Sequence, residues 1–220
     1  MSILFCTPCY GGLVTEPHFR SCLELRQALN IAGMEHSWLT GRNESLIARA
    51  RNEMTATFLE SDYTHMMWLD ADIEFTPEDV ASLWNLEADV AVGIYPMKKP
   101  EKCWYAAWVD GELVKDLDRF SGPIEVDYAG TGFMLIRRSC IDKMIEAYPE
   151  TKYEGPNGEV YALYNTPVVE GHFDSEDYHF CRKWRALGGK VLADPSVRLI
   201  HHGAYAFGSG KFGELDGKRH

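Results

Sequence analysis

Asp70 and Asp72 stand one residue apart directly behind Met66-Met67-Trp68-Leu69, so the most apolar stretch of the chain ends on two carboxylates. With 14 Asp in 220 residues, roughly one Asp-x-Asp triplet arises by chance. A second one, Asp116-Leu117-Asp118, is indeed present. Spacing alone therefore decides nothing, and the setting must. His65 to Leu69 reads as a short buried strand, and Thr76-Pro77-Glu78-Asp79 carries the signals of a helix start just beyond. Asp70 and Asp72 thus fall at the C-terminal end of a strand, the edge at which open parallel sheets bind ligands. Strand alternation turns both side chains to one side of the chain. Asp116 and Asp118 lie in a hairpin beside Lys115 and Arg119 and read as a solvated edge. Two hard oxygen ligands without Cys or His beside them suit Mg2+ or Mn2+, ions that share their shell with substrate phosphates. The implied substrate carries a diphosphate, and the ion would neutralise charge that grows as a nucleotide leaves.

Other residues have the right types for such a reaction. Ser175-Glu176-Asp177 opens a helix, where acids complement the N-terminal dipole. The local excess, Asp174, Glu176 and Asp177 after a loop holding His172, goes beyond a cap and suits a general base or a group that positions a hydroxyl. His201-His202 precedes a Gly-rich tail; period two lets only one of them face the site, and His202, nearer the loop, is preferred. Arg42, Arg49, Arg51 and Asn52 bracket the second helix. Of these Arg49 is the first choice for bidentate phosphate contact, and Lys98, after the fourth strand, is another. Tyr10 has backbone room from Gly11-Gly12 to stack on a base, or it packs in the core. The Cys6-Thr7-Pro8-Cys9 pair has neither a second ligand pair for zinc nor a following helix for redox chemistry, and reads as buried strand and loop.

The elements that must position these groups follow from periodicity. Ser2 to Cys6, Met34 to Leu39, His65 to Leu69 and Asp89 to Tyr95 read as strands, with helices over Pro17 to Ala32, Leu46 to Leu59 and beyond Thr76. That alternation is an α/β layer with a mainly parallel, Rossmann-like sheet. Past Pro96 the expected pattern is mixed. It has an antiparallel hairpin about Asp110-Gly111 (Cys103 to Val109, Leu113 to Leu117), strands at Ile124 to Tyr128 and Gly132 to Arg137, and a helix from Ser139 to Tyr148. A loop follows over Thr151 to Gly171, then a helix over Ser175 to Leu187, then strands at Lys190 to Ala193 and Val197 to His201. With 45% hydrophobic and 25% charged residues the composition is that of a globular protein. A net charge of −11 with scattered basic residues argues against a nucleic-acid surface. The expected location is cytoplasmic, since no signal-peptide pattern and no membrane-spanning run is present.

With Leu69-Asp70-Ala71-Asp72 as a DXD motif, Thr7-Pro8-Cys9-Tyr10 as a first-strand loop, and the later Ser175-Glu176-Asp177 and His201-His202-Gly203, the chain resembles the GT-A class of nucleotide-sugar glycosyltransferases. Within it the pattern is similar to the capsid-decorating glycosyltransferases of large algal viruses, which would place it in a host cytoplasm. The resemblance implies one glycosyltransferase domain over 1–220. Residues 1–100 would bind the donor and 101–203 the acceptor, while the Gly-rich composition of 204–220 by itself predicts a flexible tail that closes on the donor. The resemblance also implies a nucleotide-sugar, by preference UDP-linked, and a glycan or glycoprotein acceptor. Thr7, Pro8 and Tyr10 would line the nucleoside site, Asp70 and Asp72 with a C-terminal His would hold Mn2+ or Mg2+, and Asp177, then Glu176, would act at the acceptor. A phosphatase with an Asp-x-Asp nucleophile is disfavoured because Glu74 stands where Thr or Val is needed. A non-catalytic nucleotide- or carbohydrate-binding module, with Trp104, Tyr105 and Trp108 against sugar faces, is the alternative.

Overall fold

The computed structural model describes residues 2–99, 104–169 and 171–208. In chain order the elements are β1 (Ser2–Cys9), α1 (Glu16–Ile31), β2 (Glu35–Arg42), α2 (Ile47–Leu59), β3 (His65–Leu69), β4 (Ile73–Glu74), α3 (Pro77–Asn85) and β5 (Val90–Val92). They continue as β6 (Ala107–Val109), β7 (Glu112–Leu113), β8 (Ile124–Val126), β9 (Tyr128–Ala129), β10 (Phe133–Arg137) and α4 (Arg138–Ala147). Then come β11 (Lys152–Gly155), β12 (Gly158–Tyr161), β13 (Val168–Val169), β14 (His172–Phe173), α5 (Glu176–Ala186), β15 (Val191–Ala193), β16 (Ile200–His202) and β17 (Ala206–Gly208).

A seven-stranded sheet in the order β2-β1-β3-β10-β5-β15-β8 carries the fold. Pairings of β1 with β2 and β3, and of β5 with β15, are parallel, while β10 and β8 run against their neighbours. The sheet is therefore mainly parallel, as expected. Both halves of the chain contribute to it, since β10, from the later half, inserts between β3 and β5. Every residue of β3 is buried, which is why His65 to Leu69 reads as a continuous apolar run rather than an alternating one. Met66 and Trp68 pack on one face with Met54 and Phe58 of α2. Met67 and Leu69 pack on the other with Leu25 and Leu29 of α1 and Val80 and Leu83 of α3. Right-handed crossovers explain this: β1 to β2 and β2 to β3 travel in opposite directions along the sheet, so α1 and α2 cover opposite faces. The reversal puts a crevice between the C-terminal ends of β1 and β3.

Local chemistry sets the boundaries. Thr76 and Asp79 form a reciprocal capping box with Pro77 in the first turn of α3, and Thr15 caps α1 by accepting from the His18 amide. Asp110 and Gly111 both adopt positive φ (52° and 76°), the geometry of a two-residue hairpin turn whose twist matches its strands. Gly93 lies so close to β10 that an added Cβ would come 2.6 Å from Phe133.

One expectation needs correction. Thr151 to Gly171 is not a loop: β11 pairs with β12 about Pro156-Asn157, and β13 with β14 follows. Glycines close the first hairpin, and a Cβ on Gly155 would lie 2.5 Å from Val160. Within the predicted tail, Ala206–Gly208 pairs with β16. The rest of that predicted tail, 209–220, and Cys103 of the predicted hairpin lie outside the described residues. No helix among the described residues is long and apolar enough to cross a membrane.

Candidate active site

Asp70 continues the side of β3 that carries Met66 and Trp68 and so turns toward α2. There Arg51, with a side chain only 3% exposed, donates from Nη2 to Asp70 Oδ1 at 2.9 Å and from Nε to Glu176 Oε1 at 3.4 Å. The guanidinium stands 5.0 Å from the ring centre of Trp68. Its Nη1 is buried without a hydrogen-bond partner. Burial acts against the Arg51 charge, but Asp70 and Glu176 outweigh it and raise its pKa, so the guanidinium is permanently charged. One cation thus ties the acid at the end of β3 to the acid that opens α5.

The turn after Asp70 is pinned on both sides. Thr15 donates from its amide to the Ala71 carbonyl at 2.9 Å, and the His202 amide donates to the Asp72 carbonyl at 2.8 Å. The chain then enters β4, which pairs antiparallel with β16 in the register His201 to Ile73 and Ile200 to Glu74. That register brings His201 Nε2 to 3.4 Å from Asp72 Oδ1, while Lys98 Nζ donates to Asp72 Oδ2. Burial alone would raise the Asp72 carboxyl; contacts with His201 and Lys98 outweigh it and lower it to about 2. His201 Nδ1 lies 2.9 Å from the Pro96 carbonyl. A carbonyl only accepts, so Nδ1 carries the proton and a neutral ring turns the Nε2 lone pair toward Asp72. Two acceptors then face each other at 3.4 Å, beside the Lys98 ammonium that already holds the other carboxylate oxygen, an arrangement that a cation could share.

Asp177 is held differently. Its Oδ1 accepts from the Ser175 hydroxyl and from the Tyr178 amide at 2.8 Å. Burial, reinforced by the charge of Glu176, raises the carboxyl to about 6. Tyr95 lies between the two acidic groups. Burial and the charges of Asp70 and Asp177 push its phenol up, its oxygen accepts from the Gly132 amide at 3.1 Å, and its ring meets His201 edge-on at 5.2 Å. The chain passes close beneath: a Cβ on Gly130 would lie 2.1 Å from the Tyr95 oxygen, and one on Gly132 2.9 Å from Asp70 Oδ2. Only glycine permits this approach of Gly130-Thr131-Gly132.

The structure therefore brings Asp70, Asp72, Lys98, Glu176 and Asp177 into one neighbourhood with His201. It does not bring His202 there: His202 Nε2 lies 2.8 Å from Glu74 Oε2, on the opposite side of β16. Nor does it bring Arg49, whose guanidinium pairs at the surface with Glu44 at 2.5 Å and 2.9 Å. Thr7 is buried in β1 and Pro8 half-buried, and Tyr10 is 73% exposed in the turn that follows. Asp116 and Asp118 stay at the surface, where Asp118 pairs with Arg198. Arg51 was the undervalued residue. It falls with Met54, Thr55 and Phe58 at the i, i+3, i+4, i+7 spacing of a buried stripe, and an Arg on that stripe is a buried charge in need of partners. Among the described residues no three His, Cys, Asp or Glu side chains converge into a metal cage.

Neither a protein-family model nor a curated protein sequence matches the chain. Solved structures do. A197 from STIV is similar over 96% of both chains at 20% identity with a TM-score of 0.58, a likeness that shows a shared fold. A glycosyltransferase involved in glycosylation of the major capsid of PBCV-1 is similar over 71% of this chain and 68% of that one, at 11% identity and a TM-score of 0.39. GalNAc-T7, solved with UDP, GalNAc and Mn2+, is similar over 95% of this chain and 45% of that one, at 11% identity and a TM-score of 0.47. The last two are too distant in shape to carry an argument.

Proposed function

We propose that the protein transfers a sugar from a nucleoside diphosphate donor, by preference UDP-linked, to a glycan or glycoprotein acceptor, with Mn2+ or Mg2+ at the donor. The observation that carries this reading is the facing pair of His201 Nε2 and Asp72 Oδ1, with Nδ1 already committed to the Pro96 carbonyl. Asp72 and His201 would hold the ion, with Asp70 beside them. This donor set fits a hard cation that completes its shell from water and phosphate oxygens, because such ions bind proteins through one or two carboxylates rather than a closed cage. The bound ion would supply charge neutralisation on the leaving diphosphate. Lys98, on Asp72 in the free protein, is a mobile point charge within reach of the same oxygens.

At the acceptor, Asp177 suits a general base. One of its oxygens is fixed by Ser175 and the Tyr178 amide, and the other is left for an acceptor hydroxyl. Its raised pKa keeps it basic enough to draw a proton near neutral pH. In an inverting reaction the hydroxyl proton passes to Asp177 as the acceptor oxygen bonds to the anomeric carbon, and the nucleoside diphosphate departs with the bonding pair. In a retaining reaction the same carboxylate orients the acceptor. Glu176, committed to Arg51, positions rather than accepts. Thr7, Pro8 and Tyr10 at the end of β1 would face the nucleoside. The donor site then rests on residues 1–100 with His201 added from the later half, and the acceptor site on the remainder of 101–203.

The test is thermal shift with UDP, with and without Mn2+, on the parent and on Asp72→Ala, together with slow hydrolysis of a UDP-sugar. Ligand bound only to the native state raises the melting temperature with affinity. Mn2+-dependent stabilisation by UDP in the parent, absent in Asp72→Ala, is expected. Identical UDP affinity with and without Mn2+ in both proteins refutes the metal-dependent reading, and binding without any hydrolysis points to a binding module.

A further inference from the structure

Outside the acids described above, a cleft of about 490 Å3 runs along α5, lined by Glu125, Tyr128, Arg182, Arg185 and Lys190 among others. Positions 182, 185 and 186 share one face of α5 by helical spacing, and Tyr178 lies one turn before Arg182 on that face, so the cleft runs from Arg182 toward the C-terminal end of the helix, with Asp177 in the turn before it. Tyr128 forms its near wall. The Tyr128 ring lies 4.8 Å from Tyr178, the residue after Asp177, and the Arg182 guanidinium stands 5.7 Å over it.

The three cations of this cleft each have an acidic partner; Asp174 and Asp127 sit behind theirs, while Glu125 also lines the cleft. Arg182 bonds Asp174 at 2.8 Å with side-chain exposures of 48% and 8%. Arg185 bonds Asp127 at 3.0 Å with 37% and 19%, and Lys190 bonds Glu125 at 2.9 Å with 68% and 43%. In every pair the cation is the more exposed member, so the surface offered to a ligand is a row of N–H donors on a protein whose net charge is −11. Exposed pairs of this kind contribute little to stability, so a ligand anion can share their cations at small cost. Two guanidiniums suit forked recognition of a planar or tetrahedral oxyanion, and a flexible ammonium extends the row.

We propose that this cleft is an acceptor subsite for a glycan bearing carboxylate or sulfate groups, so that the sugar hydroxyl to be modified reaches Asp177 while the anionic neighbour lies along Arg182, Arg185 and Lys190. The proposal rests on the transferase reading above. The test measures binding of three oligosaccharides of equal length, one uronate-bearing, one sulfated and one neutral, to the parent chain by calorimetry or ligand-observed NMR. Titration with UDP and Mn2+ runs in parallel. Preference for at least one of the anionic probes over the neutral one is expected, and the preferred probe identifies the anion. The double variant Arg185→Gln, Lys190→Gln should weaken that binding by about tenfold or more, since charge-assisted hydrogen bonds are lost. Arg26→Ala, which removes an exposed cation on α1, should leave it unchanged. Equal binding of charged and neutral probes, no binding of either, or equal weakening by Arg26→Ala overturns the subsite. If UDP with Mn2+ still binds in that case, only the subsite fails. If UDP with Mn2+ fails to bind while the anionic probe binds, the transferase reading fails instead.

Discussion

Replacing Arg51 by Met keeps an unbranched side chain against Trp68 but removes the charge that holds Asp70 and Glu176 together. Arg51 is almost wholly buried, Glu176 is 14% exposed and Asp70 28%. Breaking a buried ion pair by deleting one partner costs about 3–5 kcal/mol, because the remaining charge is left uncompensated. Asp70 can recover water at its exposed edge, which moves the expectation to the lower end, about 3 kcal/mol. For a chain of this size each kcal/mol corresponds to about 2–4 °C, so the melting temperature should fall by about 6–12 °C. Arg51→Lys should recover part of the loss, since an ammonium restores charge but cannot bond both acids in a fork. The control is two residues away on the same helix: Arg49→Met breaks a solvent-exposed pair with Glu44 and should leave the melting temperature unchanged within error. Thermal melts by circular dichroism at neutral pH decide it. An Arg51→Met protein melting within about 2 °C of the parent, or Arg49→Met falling as far as Arg51→Met, refutes the claim that this buried cation organises the site.

Two other outcomes follow from the geometry. His201→Ala should reduce Mn2+-dependent UDP affinity while His202→Ala leaves it near the parent value, because only His201 faces Asp72; calorimetry showing the reverse order removes His201 as the ligand. Asp177 gives a pH signature. Burial, with the charge of Glu176, raises it to about 6, so between about pH 4 and 6 the native state holds a proton that the unfolded chain has lost, and stability falls as pH rises through that window. Asp177→Asn should flatten this slope, melt higher than the parent above pH 6, and lose transfer by about a hundredfold or more while keeping UDP affinity. Matching pH slopes in parent and variant, or near-normal turnover, would sink the assignment.

What was legible in the sequence had local causes. A buried parallel strand reads as an apolar run, a capping box announces its helix, and Asp110-Gly111 announces its turn. Asp70 and Asp72 were singled out by their setting at the end of β3, which depends only on the neighbours in the chain. The insertion of β10 between β3 and β5 was not legible, because pairing partners far apart in sequence leave no trace in the periodicity of either strand. Where each of His201 and His202 points was hidden for the same reason. Period two says that the two rings face opposite ways, but which way each faces depends on the register of β16 against β4, set by the distant pairing of Ile200 with Glu74 and His201 with Ile73. Nearness to the following loop has no bearing on that register. Arg51 is a separate lesson, since its signal was local. Judged as surface residues, Arg49 and Arg51 look alike; placed on the helix, Arg49 points outward, and Arg51 shares its side with Met54 and Phe58. A cation there is tolerable only if partners from other elements come to meet it, and the chain supplies Asp70 from the end of β3 and Glu176 from the start of α5.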